Sequence, residues 1–235
     1  MRITPAFLAA PLLAFAAAAP AIAQKIGGAI AVQHEVSGNV GGRSRPVGEG
    51  DDVYQNELIR TGAASAAELG FLDQTKLSIG ASAQVKLDRF VYDVSGGART
   101  VVMTAAKGVA RFVSGSGPSS AYQVRTPHAT LGVRGTEFEV LVQPRRTVVV
   151  HGHGAVEVCP RTTRRSCELL TIPGDIVIVT ASAILGPASA AARTLDVGRL
   201  RSQLGGDTIA SLSPAPAASP PSRGLFGKGK APPPR

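Results

Sequence analysis

An all-β fold is what this sequence predicts for residues 26–179, and three features carry the prediction. Its apolar runs are short and rich in Val, Ile, Leu and Phe. Gly, Asp, Asn and Pro cut them at close intervals. No long window repeats at helical spacing, apart from Thr194 to Leu204. The expected architecture is a twisted stack of short strands resembling a β-solenoid, with a two-sheet β-sandwich as the alternative. With 44% hydrophobic and 17% charged residues among 235, the chain is not wholly disordered.

The elements justify this in order. Leu69-Gly70-Phe71-Leu72-Asp73 passes through Gln74-Thr75 into Lys76-Leu77-Ser78-Ile79 and reads as a hairpin. Val85 to Tyr92 alternates with period two except for a slip near Arg89, which predicts a bulge. Thr100–Thr104 and Val109–Val113 read as two strands parted by Lys107-Gly108. Tyr122–Val124, Glu137–Val142, Thr147–Val150, Ala155–Val158, Leu169–Leu170 and Asp175–Val179 complete the set, with Gly152-His153-Gly154 read as a turn.

Both ends differ from this middle. Residues 1–23 read as a signal peptide: Arg2 supplies the positive start, Ala6 to Ala23 holds no polar residue, and Ala21-Ile22-Ala23 is an A-x-A cleavage site. An uncleaved anchor is the competing reading, opposed by Pro20 and by the weak hydrophobicity of alanine. Ser211 to Arg235 is dominated by Pro, Ala, Ser and Gly, with four basic residues and no acid, and reads as a disordered basic tail. The boundaries are therefore a leader over 1–23, an N-terminal strand region over 24–47, a β domain over 48–185, a linker or short helix over 186–210 and the tail over 211–235. The mature chain carries no second run of spanning length. The destination read from the leader is the periplasm, with release outside the cell as the other outlet.

Twenty-five Lys and Arg against 16 Asp and Glu give a formal net charge of +9, which favours acidic partners or anionic surfaces. Two cysteines exclude a disulfide-dense miniprotein and a four-Cys zinc site. Cys159 and Cys167 end a basic loop that contains Arg161, Arg164 and Arg165. In an oxidising compartment they can bridge neighbouring strands, presenting those arginines as a preorganised anion or partner contact; a merely solvated loop is the other reading.

Thr126-Pro127-His128-Ala129-Thr130-Leu131-Gly132-Val133-Arg134-Gly135-Thr136-Glu137-Phe138 resembles the most distinctive stretch of the FecR family of periplasmic domains. Leu58 to Gly62, Leu69 to Ile79, Gly108 to Phe112, Gly154 to Val158 and Pro173-Gly174-Asp175 resemble further family pieces, in order. The likeness runs from about Gly48 to Val179. It departs at Gln74-Thr75, where the family commonly has glycine then serine, and at His153, where an acid often precedes the glycine. The resemblance implies a β domain. In the best-known members that domain relays a signal from an outer-membrane transporter to a cytoplasmic sigma-factor-binding segment, and no such segment is legible here.

The residues of the motif also have a direct physical reading. Pro127 lacks a donor and holds Thr126 extended, which suits a strand end or corner. Gly135 allows positive φ or close strand approach, and the Thr136 hydroxyl can bond backbone. Arg134 can pair with Glu137 or Glu139, while a ligand site at Arg134 is the functional alternative.

Enzyme signatures are missing: no G-x-S-x-G, no H-E-x-x-H and no phosphate-binding G-x-x-x-x-G-K-[ST]. His151 and His153 have a spacing that zinc could use, but two imidazoles without a third ligand make a weak site. Catalytic residues, metal and cofactor are all expected to be none. The function read from the sequence is a noncovalent binding or scaffolding module of the periplasm or cell envelope. Its expected partner is an envelope protein or a polyanionic envelope component, not nucleic acid. A periplasmic partner of a separate sigma-factor regulator and an unrecognised envelope enzyme are the alternatives, and the oligomeric state is left open. N-terminal sequencing of exported protein should read Gln24 first, whereas Met1 retained on membrane-bound protein would show an anchor.

Overall fold

The structure, a computed structural model, describes residues 23–162 and 166–188. Residues 1–22 of the leader, the Thr194 to Leu204 window and the basic tail lie outside the described residues, as do Arg164 and Arg165. The described chain is strand throughout except for one 3-10 turn at Ser119–Ala121. The strands are β1 (Lys25–Gln33), β2 (Val36–Val40), β3 (Arg43–Pro46), β4 (Asp52–Tyr54), β5 (Leu58–Thr61), β6 (Ala66–Phe71), β7 (Lys76–Ile79) and β8 (Gln84–Tyr92). They continue with β9 (Ala98–Val113), β10 (Tyr122–Arg125), β11 (Ala129–Gln143), β12 (Arg146–Pro160), β13 (Glu168–Leu170), β14 (Ile176–Thr180) and β15 (Ile184–Ala188). All fifteen join one sheet, and the all-β fold is as the sequence predicts. The sheet reaches Ala188, three residues into the segment read as linker.

Three long strands make this single sheet behave as two layers. The first half of β9 pairs with β8 and, in parallel, with β10, while its second half pairs with β7 and β11. The first half of β11 pairs with β10 and its second half with β9, and both halves pair with β12. The first half of β12 lies beside β14 and its second half beside β13. Each long strand thus passes from one layer into the other. Phe71 of β6 stacks on Phe90 of β8 with ring centroids 4.8 Å apart, bringing the two layers face to face. Phe112 and Phe138, neighbours on β9 and β11, lie 5.5 Å apart within the same core.

The long strands correct the sequence reading. Lys107-Gly108 and Gly152-His153-Gly154 read as breaks because glycine is the usual punctuation of turns. In the structure both lie inside continuous strands, at points where the strand bends. Gly108, Gly135 and Gly154 all have positive φ, at 82°, 57° and 80°. At the middle bend Arg134 faces Ala155 and Glu137 faces His153, so Gly135 and Thr136 together oppose Gly154. This is a β-bulge whose first residue is a left-handed glycine, a device that bends and further twists a strand. The slip read near Arg89 is likewise a bulge, between Leu87 and Arg89.

The two glycines of the middle bulge carry different constraints. A Cβ on Gly135 would meet nothing within 4 Å, so only its φ resists substitution. A Cβ on Gly154 would run into the Gly135 carbonyl and would lie 2.8 Å from the Thr136 Cα. The sequence offered positive φ or close approach as the reason for Gly135; the first applies to Gly135, and the second belongs to Gly154. Asparagine tolerates the left-handed region, so Gly135→Asn should cost at most about 1 kcal/mol. Gly154→Asn should cost about 3 kcal/mol or more, because backbone must move. Denaturant unfolding of both variants checks this, and equal losses would contradict the assignment.

Candidate functional site

A cavity lies on the solvent face of the sheet, where β9, β10, β11 and β12 run side by side. Registers place Thr104 beside Arg125, Arg125 beside Thr130 and Thr130 beside Cys159, one row across four strands. With Gln123 and Arg161 these residues line a cleft of about 760 Å³. Alternation along each strand puts them on one face.

Local chemistry fixes each position. Thr126-Pro127-His128-Ala129 closes the β10–β11 hairpin, with the Thr126 N–H donating to the Ala129 carbonyl at 2.8 Å. The buried Thr126 hydroxyl accepts from the Ala129 N–H at 2.9 Å and from the Thr147 hydroxyl at 3.0 Å. His128 Nδ1 lies 3.0 Å from that same Thr147 oxygen. Pro127 sits exposed at the turn, where its missing donor costs nothing. The Arg161 N–H donates to the His128 carbonyl at 3.0 Å, so the start of the basic loop is tied to this turn. Cys159 and Cys167 are disulfide-bonded with Cα atoms 4.2 Å apart, which closes the loop at its base. Arg125 Nε donates to Gln123 Oε1 at 2.8 Å, a contact that orients the guanidinium across the face.

Thr136 holds the bulge together. Its hydroxyl donates to the His153 carbonyl, and its N–H donates to Ser114 Oγ at 2.9 Å, which joins β11 to β12 and to the end of β9. The Arg134 side chain lies outside the described atoms. Glu137, one of its two expected partners, is paired with Arg111. His151 is buried, its Nε2 3.0 Å from the Gly154 carbonyl, while His153 is exposed, so the bulge separates the two imidazoles that the sequence placed together. Glu157, Cys159 and Cys167 bring donor atoms within 4.8 Å of one another, but in the disulfide neither sulfur remains a thiolate ligand.

Arg125 is a site residue that sequence reasoning missed. Its row neighbours come from positions 104, 130 and 159, and only strand pairing assembles them. A second missed cluster is the buried set around Asp73. Its carboxylate accepts from the Thr75 hydroxyl at 2.6 Å and from the Tyr122 hydroxyl at 2.8 Å. The Tyr122 oxygen accepts in turn from the Gly117 N–H at 2.7 Å. Gln74, at the turn where the resembled family commonly has glycine, adopts φ 70°. Burial, then the bond to Asp73, pushes the Tyr122 phenol from 10.0 up to about 12. Burial also raises Tyr92.

Residues 57–157 match the family model described as FecR protein. That span contains the hairpin around Asp73, the hairpin turn at Thr126 and the bulge at Gly135. Two crystal structures described as a candidate anti-sigma factor from Parabacteroides distasonis ATCC 8503 are similar at 21% identity, with TM-scores of 0.43 and 0.44. Each similarity covers 57% of this chain and 60% of that chain. No curated protein matches. No helix among the described residues is long and apolar enough to cross a membrane.

The Tyr122 shift has a definite sign. A phenol whose pKa is higher in the folded chain favours folding while it is neutral. That stability is complete below about pH 10 and is lost as pH rises toward 12. Stability by chemical denaturation should therefore fall across this window. Tyr122→Phe should make the fall shallower while costing about 1–3 kcal/mol at neutral pH, because Asp73 and the Gly117 N–H lose a partner.

Proposed function

We propose that this protein is a noncovalent binding module of the cell envelope, built on its FecR domain and delivered to the periplasm by its leader. The observation that supports this most directly is the arginine cleft. Its lining residues stand on paired strands and on a tied loop base, so the face is presented in one arrangement. Rigid presentation lowers the ordering cost of association. Neither Arg125 nor Arg161 has an acidic partner within ion-pair distance among the described residues. The lining supplies guanidinium, hydroxyl and amide groups, which suit recognition by hydrogen bonds. We read the protein as binding without catalysis.

The FecR match favours one more specific version, in which the partner is the periplasmic part of a separate membrane regulator and the module serves cell-surface signalling. Passing envelope extract over the immobilised mature chain, and over a chain ending at Leu204, tests the general reading. Both chains should retain the same component. Retention that disappears with the tail would place binding outside the β domain and overturn the assignment to the cleft face. Protease treatment of the extract separates the versions, since it abolishes retention of a protein regulator and spares a glycan.

A further inference from the structure

The cleft points to a class of ligand: we propose that it binds the oxyanion of an acidic saccharide, a carboxylate or phosphate borne on a polyhydroxylated envelope polymer. The proposal rests on the binding-module reading and deepens it. Arg125 spends its Nε on Gln123, which leaves the two terminal nitrogens of its guanidinium as a fork for an oxyanion. Arg161 enters the same cleft from the loop base held by His128 and by the disulfide. Two arginines lining one cavity favour a negative group, and bidentate arginine contacts favour planar carboxylate or phosphate.

Two acids border this face, and neither is ion-paired with a cleft arginine. Asp88 accepts from the Thr104 hydroxyl at 2.6 Å and lies 3.5 Å from Lys86 Nζ. Glu157 shares a row with Gln123 across Gly132 and brings its carboxylate within 4.8 Å of the Cys159 sulfur, but it forms no ion pair with either arginine.

The rest of the lining argues for a saccharide. Thr104, Thr130 and Gln123 surround the guanidiniums with hydroxyl and amide groups suited to sugar hydroxyls. No aromatic ring lines the cleft among the described residues, so it offers no stacking platform of the kind that single-stranded nucleic acid uses. A volume of about 760 Å³ falls within the usual range of small-ligand sites.

Calorimetry on the exported full chain tests the proposal with four probes: tetragalacturonate for carboxylate, glucose 6-phosphate for phosphate, maltotetraose as the neutral saccharide, and phosphatidylglycerol vesicles. At least one acidic saccharide should bind and maltotetraose should not. Arg125→Ala and Arg161→Ala should each weaken that binding about tenfold at unchanged melting temperature, the effect expected for a lost charge-assisted hydrogen bond. Lys228→Ala with Lys230→Ala, in the tail, should leave it unchanged. Binding lost with the tail lysines but kept by the two arginine variants would overturn the proposal. Failure of both acidic saccharides to bind would do so too, as would arginine-dependent binding of vesicles alone. Envelope extract still retained by a chain that binds neither acidic saccharide would sink this ligand class and leave the binding-module reading standing.

Discussion

Two backbone residues of β11 against one of β12, at Gly135-Thr136 and Gly154, form the constraint on which the rest of this architecture depends. A strand as long as β11 or β12 cannot stay flat and serve two packed layers. It must bend, and a bulge bends it while keeping the ladder paired on either side. Gly154 has no Cβ because the Gly135 carbonyl occupies that space. Thr136 then uses its hydroxyl and its N–H to join β11 to β12 and to β9. With the bend set, the first half of β11 faces β10 and the second half faces β9. The Phe112–Phe138 contact follows from that pairing, while the layers close on each other through Phe71 and Phe90.

The cleft is a product of the same geometry. It lies on one side of the bend, where the first half of β11 is flanked by β10 and by the second half of β12. Arg125 and Cys159 are thereby brought to one row from segments far apart in sequence. The Thr126–Thr147 hydroxyl contact extends from the β10–β11 turn to the opening of β12, and the Arg161 N–H returns to the same turn. The candidate site and the scaffold therefore share hydrogen bonds, and loosening the turn would loosen Arg161.

What could be read from the sequence was local, and what could not was made by pairing. The hairpin around Asp73 and the bulge near Arg89 show themselves within about ten residues, through turn composition and through a break in alternation. The three long strands escaped because glycine marks both a turn and a bend, and only the partner strand distinguishes them. Gly135 was legible as a positive-φ residue, whereas the steric demand on Gly154 exists only because β11 lies against it. The Tyr122–Asp73 bond joins residues 49 apart, and no local pattern signals it. Arg161 and the cysteine pair were legible because a short basic loop between two cysteines is itself a sequence feature. Arg125 was not, since a lone arginine at the end of a strand resembles any solvated charge.

Folding explains most of the polar groups that the described chain holds in place, and this makes the two cleft arginines stand apart. Glu57 is buried against Arg45 and the Tyr54 N–H, tying the edge strand β3 to the approach to β5. The Thr61 hydroxyl donates to the Gly80 carbonyl and accepts from the Ala83 N–H, closing the path from β7 to β8. Asp73 and Thr126 each satisfy several donors in a turn. Removing any of these would leave a buried group unpaired, at a cost of about 1–3 kcal/mol. Arg125 and Arg161 are exposed, and their guanidiniums complete no buried network. Exposed charges of this kind contribute roughly 0–1 kcal/mol to stability even when paired. Their place in one cleft is therefore not something the fold requires, and binding an anionic ligand is the role we propose for it.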